Sequence, residues 1–433
     1  MENLDYARLQ MAFTLGFHII FACIGMVMPF FMVVSHKKWL NTRDQVYLDL
    51  TKAWQRGVAI FFVTGAVSGT ALSFELGMLW PEFMKHAGPV IGMPFSLEGA
   101  AFFVEAIALG FYLYGWNKLP ETFHWITGII IGISGVASGI LVVSANAWMN
   151  APAGFEVING EFVNIDPVAA FLNDAWFTQA LHMTLAAFAA TGFAVAGIHA
   201  FQILRNRRVP LHKKAFKIAI SFGAVAALLQ PLSGDLSAKD IAKRQPVKLA
   251  AMEAHYETSK GAPLYIGGLV DEENRKVTHK IEIPKALSFL AFGDFDAEVK
   301  GLNDFPEDEL PPVSVVHYAF QVMVGIGTLL MIAAIIFFIS LKKKSWMNTP
   351  AFWWLFALLS PMGFIAVEAG WVVTEVGRQP WIVYKIMRTS GAVTPMPGLK
   401  YTFFLYVFVY ITLAITVTWL MKRQIRVLNR SID

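Results

Sequence analysis

The chain has 433 residues, 56% of them hydrophobic against 15% charged, with 36 Phe, 13 Trp and a formal net charge of +4. That balance indicates an all-α polytopic membrane protein and gives no reason to expect nucleic acid as a partner. The single cysteine, Cys23, excludes an intramolecular disulfide framework, an all-cysteine iron–sulfur site and a C-x-x-C-H haem attachment.

The first ten residues, MENLDYARLQ, carry both charge signs and lead straight into a full-length apolar run, so no cleavable signal peptide is expected. Apolar stretches of about 20 residues predict nine spans, at roughly 11–34, 53–73, 92–115, 124–146, 176–204, 215–231, 314–340, 351–374 and 400–421. The second and sixth are the least clean, with Arg56 and Pro231 at their ends. No internal repeat is visible, so an inverted-repeat transporter plan has no support from sequence. Basic residues follow the first span (Lys37, Lys38, Arg43), the fifth (Arg205, Arg207, Arg208, Lys213, Lys214), the seventh (Lys342, Lys343, Lys344) and the ninth (Lys422, Arg423, Arg426, Arg430). With nine spans these clusters share one side, which the positive-inside rule makes cytoplasmic. The N-terminus is then outside and the C-terminus inside. The chain divides into spans one to six (1–231), an outer hydrophilic segment (232–313), and spans seven to nine with a cytoplasmic tail (314–433). Residues 147–175 form a second, mildly acidic outer loop. A segment as long as 232–313 is either functional or a disordered insertion, and the alternation in KVTHKIEI, 276–283, predicts a strand within it.

Several side chains inside the apolar runs are out of place by hydropathy. His18, His182, Met323 and Glu368 fall at similar depths in the outer half of the bundle when each span is traced at 1.5 Å per residue. Glu368 is the sharpest case, because a carboxyl in hydrocarbon costs on the order of 2.5–3.5 kcal/mol. Imidazole and thioether groups at one level suit axial ligation of buried porphyrins. Each residue alone also has a plainer reading: the histidines as hydrogen-bonded packing residues, Met323 as core filler, and Glu368 as a proton relay. His199 reads as interfacial. Glu98 and Glu105, seven residues apart, share one face of the third span. With Ser138 and Asn146 on the fourth span they form either a proton path or a set of interhelical hydrogen bonds.

The motifs ARLQMAFTLGFH, FSLEGAAFFVEA, ANAWMNAP, LHMT, KLAAMEAHYET, AFQVMVG, AVEAGW and GRQPW resemble, over essentially the full length, the large haem-bearing subunit of cytochrome bd quinol oxidase. The resemblance implies His182 and Met323 as axial ligands of a low-spin haem b. It implies His18 and Glu368 as ligands of a high-spin haem b and a haem d, in an order it does not settle. Lys248 and Glu253 match positions tied to quinol oxidation, so 232–313 corresponds to a quinol-binding loop. Glu98, Glu105 and Ser138 match a proton supply, and Arg378 and Gln379 of GRQPW are expected at the outer surface near the quinol or the haem propionates. A second multi-span subunit, a small single-span peptide, ubiquinol or menaquinol, and dioxygen are the implied partners.

Three departures stand out. Gln321 replaces an arginine found in some relatives two residues before the ligating methionine, which should lower the haem potential. The loop lacks a long insertion, and the span-3 glutamates are seven apart rather than eight. The expected activity is oxidation of quinol outside, with Glu253 accepting its proton and Lys248 holding either Glu253 or the substrate, and oxygen is reduced to water with protons arriving from the cytoplasm through Glu105 and Glu98. This builds a proton motive force across a bacterial cell membrane without a pump. Two rivals remain: a proton-coupled transporter, and a quinone-linked cytochrome b without oxygen chemistry.

Overall fold

The computed structural model describes residues 3–430. Met1, Glu2, residues 431–433 and the side chain of Arg430, counted above in the last basic cluster, lie outside the described residues. Four long helices come first: α1 (Asn3–Thr42), α2 (Gln45–Leu79), α3 (Pro81–Tyr114) and α4 (Glu121–Asn150). After the short α5 (Pro167–Phe171) come α6 (Trp176–Leu204) and α7 (Val209–Arg244), then α8 (Pro246–Glu253) and α9 (Ala286–Phe292) within the large loop. The chain closes with α10 (Val313–Lys342), the broken pair α11 (Pro350–Leu358) and α12 (Met362–Val376), the single turn α13 (Thr389–Ala392) and α14 (Leu399–Arg430). Among the described residues, nine stretches are long and apolar enough to cross a membrane, counting α11 and α12 as one.

The helices overrun the predicted spans because apolarity marks only the part in hydrocarbon. At about 1.5 Å per residue, the 40 residues of α1 exceed a ~30 Å core roughly twofold. The sixth span likewise does not stop at Pro231; α7 continues through it to Arg244. Neighbouring helices re-satisfy the backbone groups that a proline frees inside a bundle. The large loop is folded rather than an extended insertion. KVTHKIEI forms two short strands, Lys276–Thr278 and Ile281–Ile283, not one, because His279 between them takes a left-handed conformation. They pair antiparallel with Leu269–Asp271 and Leu264–Ile266 respectively.

Close helix contacts rest on small residues, as expected where the hydrophobic effect no longer drives helices together. A Cβ on Gly192 of α6 would lie 2.5 Å from the Cα of Gly223 on α7, and one on Gly363 of α12 would lie 2.5 Å from the Cα of Ala190. Three of the basic clusters meet at one end of the bundle. Lys214 pairs with Asp44, Arg208 bonds Asp49 at 2.9 Å, and Arg208 also donates to the Leu428 carbonyl at 2.7 Å. The opposite end carries both long connections and the start of α1, where Arg8 donates to Gln379 at 2.9 Å.

Gly192→Val should therefore lower the thermal unfolding midpoint of the purified protein by an amount matching about 1–3 kcal/mol of overpacking. Gly110→Val, where nothing stands within 4 Å of the added carbon, should leave that midpoint nearly unchanged.

Candidate functional site

The four candidate ligands stand on four helices: His18 on α1, His182 on α6, Met323 on α10 and Glu368 on α12. All four are half-buried. Each faces a glycine across a helix contact. A Cβ on Gly69 would meet the His18 ring at 3.0 Å, and one on Gly16 would meet Glu368 Oε2 at 3.0 Å. One on Gly370 would meet Met323 Sδ at 3.1 Å, and one on Gly234 would come within 3.8 Å of the His182 ring. Side chains at Gly69, Gly16 and Gly370 would press on His18, Glu368 and Met323, while at Gly234 the approach is an ordinary contact. α12 links two of the positions, since Glu368 faces α1 and Gly370, two residues on, faces Met323 of α10.

Hydrogen bonds orient the imidazoles. His18 Nδ1 pairs with Ser68 Oγ at 2.9 Å, leaving Nε2 for another partner. His182 Nδ1 pairs with Ser233 Oγ at 3.1 Å, and the Gln230 amide lies 3.1 Å from its Nε2. Glu368 Oε1 is buried without a partner. Among the described residues no three His, Cys, Asp or Glu side chains gather as a metal-binding group. Isolated donors of this kind suit a porphyrin, which brings its own in-plane nitrogens and takes one or two protein ligands. Buried donors without partners include Trp176 Nε1, six residues before His182, and Trp371 Nε1, three after Glu368, with Ser237 Oγ and Arg378 Nη1 further along the chain. Such donors suit the carboxylate edge of a porphyrin. The residues fit the group.

Glu98 and Glu105 do share a face of α3, turned toward α4. Ser138 donates to Glu98 at 3.0 Å. Glu105 is buried, with one oxygen 3.6 Å from where a Cβ on Gly135 of α4 would sit. Asn146 does not extend this pair; it turns to the end of α12, donating to Glu375.

A second constellation knits α8 to the bundle. Lys248 is 3% exposed and donates to Asn150 Oδ1 at 2.7 Å and the Thr374 carbonyl at 3.2 Å. Asn150 donates to Asn146 at 3.0 Å, Asn146 donates to Glu375, and Arg378 donates to the other Glu375 oxygen at 2.5 Å. Gln245 adds a bond to the Asn150 carbonyl at 3.0 Å. The lysine stem lies over Gly377, where a Cβ would meet its Cγ at 3.1 Å. Burial, then the Arg378 guanidinium, pulls the Lys248 ammonium down to about 7 against the attraction of Glu375. Glu253, also 3% exposed, has one oxygen without a partner, and burial pushes its carboxyl up to about 8.

Two expectations need correction. Lys248 does not hold Glu253; five residues apart on one helix, the two point about 140° apart. Arg378 is not at the surface but 2% exposed, drawn in by its ion pair with Glu375; Gln379 is half-buried and accepts from Arg8 and Thr389. Gln321, where an arginine was weighed, ties α10 to the loop by bonds to the Tyr265 carbonyl at 3.0 Å and the Gly267 amide at 3.1 Å. Asn150, Gln245 and Glu375 went unread in the sequence. Their signals were present, Asn150 lying four residues after Asn146 and Glu375 three before Arg378, both helical neighbour spacings.

Glu375→Gln leaves a buried guanidinium without its counter-charge and should cost about 1–3 kcal/mol, read as a lower unfolding midpoint in detergent. Adding Arg378→Met should restore part of that loss, because the unpaired charge goes with it.

The family model for cytochrome bd terminal oxidase subunit I matches residues 6–428. A Bacillus subtilis chain provisionally named a cytochrome bd menaquinol oxidase subunit I is 37% identical, covering 98% of this chain and 97% of that one. A second from the same organism, named cytochrome bd ubiquinol oxidase subunit 1, is 30% identical over 98% and 94%. The solved bd oxidase of Geobacillus thermodenitrificans superposes with a TM-score of 0.93 at 39% identity, covering 98% of each chain. With nine stretches long and apolar enough to cross a membrane among the described residues, four donors against glycines and this full-length likeness, the chain belongs to the cytochrome bd terminal oxidase subunit I family.

Proposed function

We propose that the chain is the haem-bearing core of a quinol:dioxygen oxidoreductase in a bacterial cell membrane. The observation that carries this reading is the set of four lone donors, each held against a glycine, beside a loop helix that buries an amine and a carboxyl. His182 and Met323 would hold a low-spin haem b, and His18 and Glu368 a high-spin haem b and a haem d. When bound, these haems carry electrons from quinol to dioxygen, which is reduced to water.

The chain's own groups account for the protons. At the loop end Glu253 accepts a proton from quinol; at neutral pH much of it is the acid, so the base form grows as pH rises toward 8. Lys248, held by Asn150, orients the quinol oxygen. Arg378, buried beside Lys248 and Glu375, is suited to a propionate through its unpartnered Nη1. Glu105 and then Glu98, with Ser138, deliver protons from the other end. That end carries the basic clusters and is read as cytoplasmic, with the N-terminus outside. Charge separation follows without a pump. Gln321 supplies no cation near Met323, which disfavours the reduced haem relative to relatives with arginine. Subunit I implies a second, multi-span subunit, and a small single-span peptide is proposed beside it. The relatives' names include both menaquinol and ubiquinol, so either quinone is a candidate substrate. Oxygen uptake with a quinol donor tests the whole reading; a haem-loaded complex without uptake would leave the cytochrome b rival standing.

His182→Ala should remove the low-spin haem signal from the reduced-minus-oxidised spectrum while sparing the red chlorin band; an intact low-spin signal would count against the assignment, whereas equal loss of every haem would show only misfolding. Glu253→Gln should cut turnover about 10²–10⁴-fold. It should also abolish the rise in rate with a midpoint near pH 8 that the raised carboxyl imposes on the unmodified protein.

A further inference from the structure

One buried acid takes no part in the scheme above. Glu75 of α2 is 0% exposed, and among the described residues no cation lies within ion-pair distance of it. Oε1 accepts from Gln10 Nε2 at 2.9 Å and from Thr14 Oγ1 at 3.0 Å, both on α1. Oε2 is buried without a partner. Thr402 of α14 backs the group by donating to Gln10 Oε1 at 3.0 Å. The titratable groups that face Glu75 are Tyr406 and Tyr410 of α14. Tyr410 is itself 1% exposed and lies beside Thr14, a donor to Glu75. Glu82 and Lys85 of α3, which follows α2 directly, lie at the surface.

The hydrogen bonds suit a carboxylic acid. Both neutral donors go to one oxygen, as to a carbonyl, and the other oxygen is left without a partner, free to carry a proton. A carboxylate here would be a buried charge with only two neutral donors. The site also has an axis. Gln10, Thr14 and His18 recur every four residues on one face of α1, and Ser68, the partner of His18, lies seven residues before Glu75 on α2. The pair of helices thus carries one polar ladder from the loop end of the bundle to His18. It is separate from the Glu98–Glu105 face of α3.

We propose that Glu75 is a redox-linked proton site served from the loop end of the bundle. An electron arriving beside His18 removes one positive charge, and one proton from loop-side water binds at Oε2 in compensation; when the electron leaves, the proton returns by the same ladder. The inference rests on the reading of His18 as a haem ligand, and Glu75 touches no proposed ligand itself.

Redox-difference infrared spectroscopy of the intact, haem-loaded complex reads the site directly. A protonated-carboxyl band that shifts in D2O is expected, and Glu75→Gln should abolish it while a band assigned through Glu105→Gln remains. The midpoint potential of the high-spin haems should vary with pH less steeply in Glu75→Gln than in the unmodified complex. If Glu75→Gln fails to assemble, Thr14→Val removes one of its hydrogen bonds and Tyr410→Phe changes the polar group that faces it, both keeping the acid; each should move the same band. Unchanged bands and an unchanged pH dependence, with haem content intact, overturn the proposal for Glu75 alone. A purified complex with no haem spectrum overturns the functional reading on which it rests.

Discussion

Arg378 has almost no access to water, and its ion pair with Glu375 makes that position tolerable. The pair is also the anchor of a longer chain. Glu375 fixes Asn146, Asn146 fixes Asn150, and Asn150 takes the Lys248 ammonium. Through these bonds the end of α12 decides where α8 sits, and α8 carries the two groups proposed to meet quinol. Removing water makes each link stronger and each broken link more costly. A surface loop could not hold a lysine and a glutamate at 3% exposure; a loop clamped to a helix end by a buried charge pair can.

The same economy of space governs the proposed ligands. Each of the four lies opposite a glycine on the next helix. Glycine lets helices approach closely, and here it also leaves an imidazole, a thioether or a carboxylate free to aim its donor atom along the contact. Ser68 and Ser233 then set the orientation of the two rings.

Most of the architecture was readable from the sequence because hydrocarbon is a harsh solvent. Apolar length predicted the nine crossings, and polar residues that violate it, His18 and Glu368 above all, marked positions worth explaining. Helix ends were less legible, since α7 runs through Pro231 and beyond the apolar stretch. Tertiary pairings were hardest. Glu375 and Asn146 are more than two hundred residues apart, and nothing local says that one receives a hydrogen bond from the other. The resemblance implied Arg378 at the outer surface; only the position of its partner Glu375 shows why it turns inward. Glu75 was hidden for the opposite reason. It sits near the end of an apolar run, where an acid looks ordinary, until α14 closes over it.

α12 carries Glu368, Gly370 and Glu375 within eight consecutive residues of one unbroken helix that contains no proline. Its upstream neighbour α11 is set apart by the break at Leu359–Pro361. The two segments therefore differ in how they can absorb a change in chain length. One residue added between Glu368 and Glu375 would rotate one carboxyl about 100° relative to the other, from nearly one face to about 80° apart, and lengthen their separation by about 1.5 Å, misaligning α1 or the Asn146 contact. The same residue added at the break could be taken up by irregular backbone. Insertions and deletions among natural variants of this chain should accordingly collect at that break and in the hairpins of the large loop, and leave the eight residues from Glu368 to Glu375 at constant length.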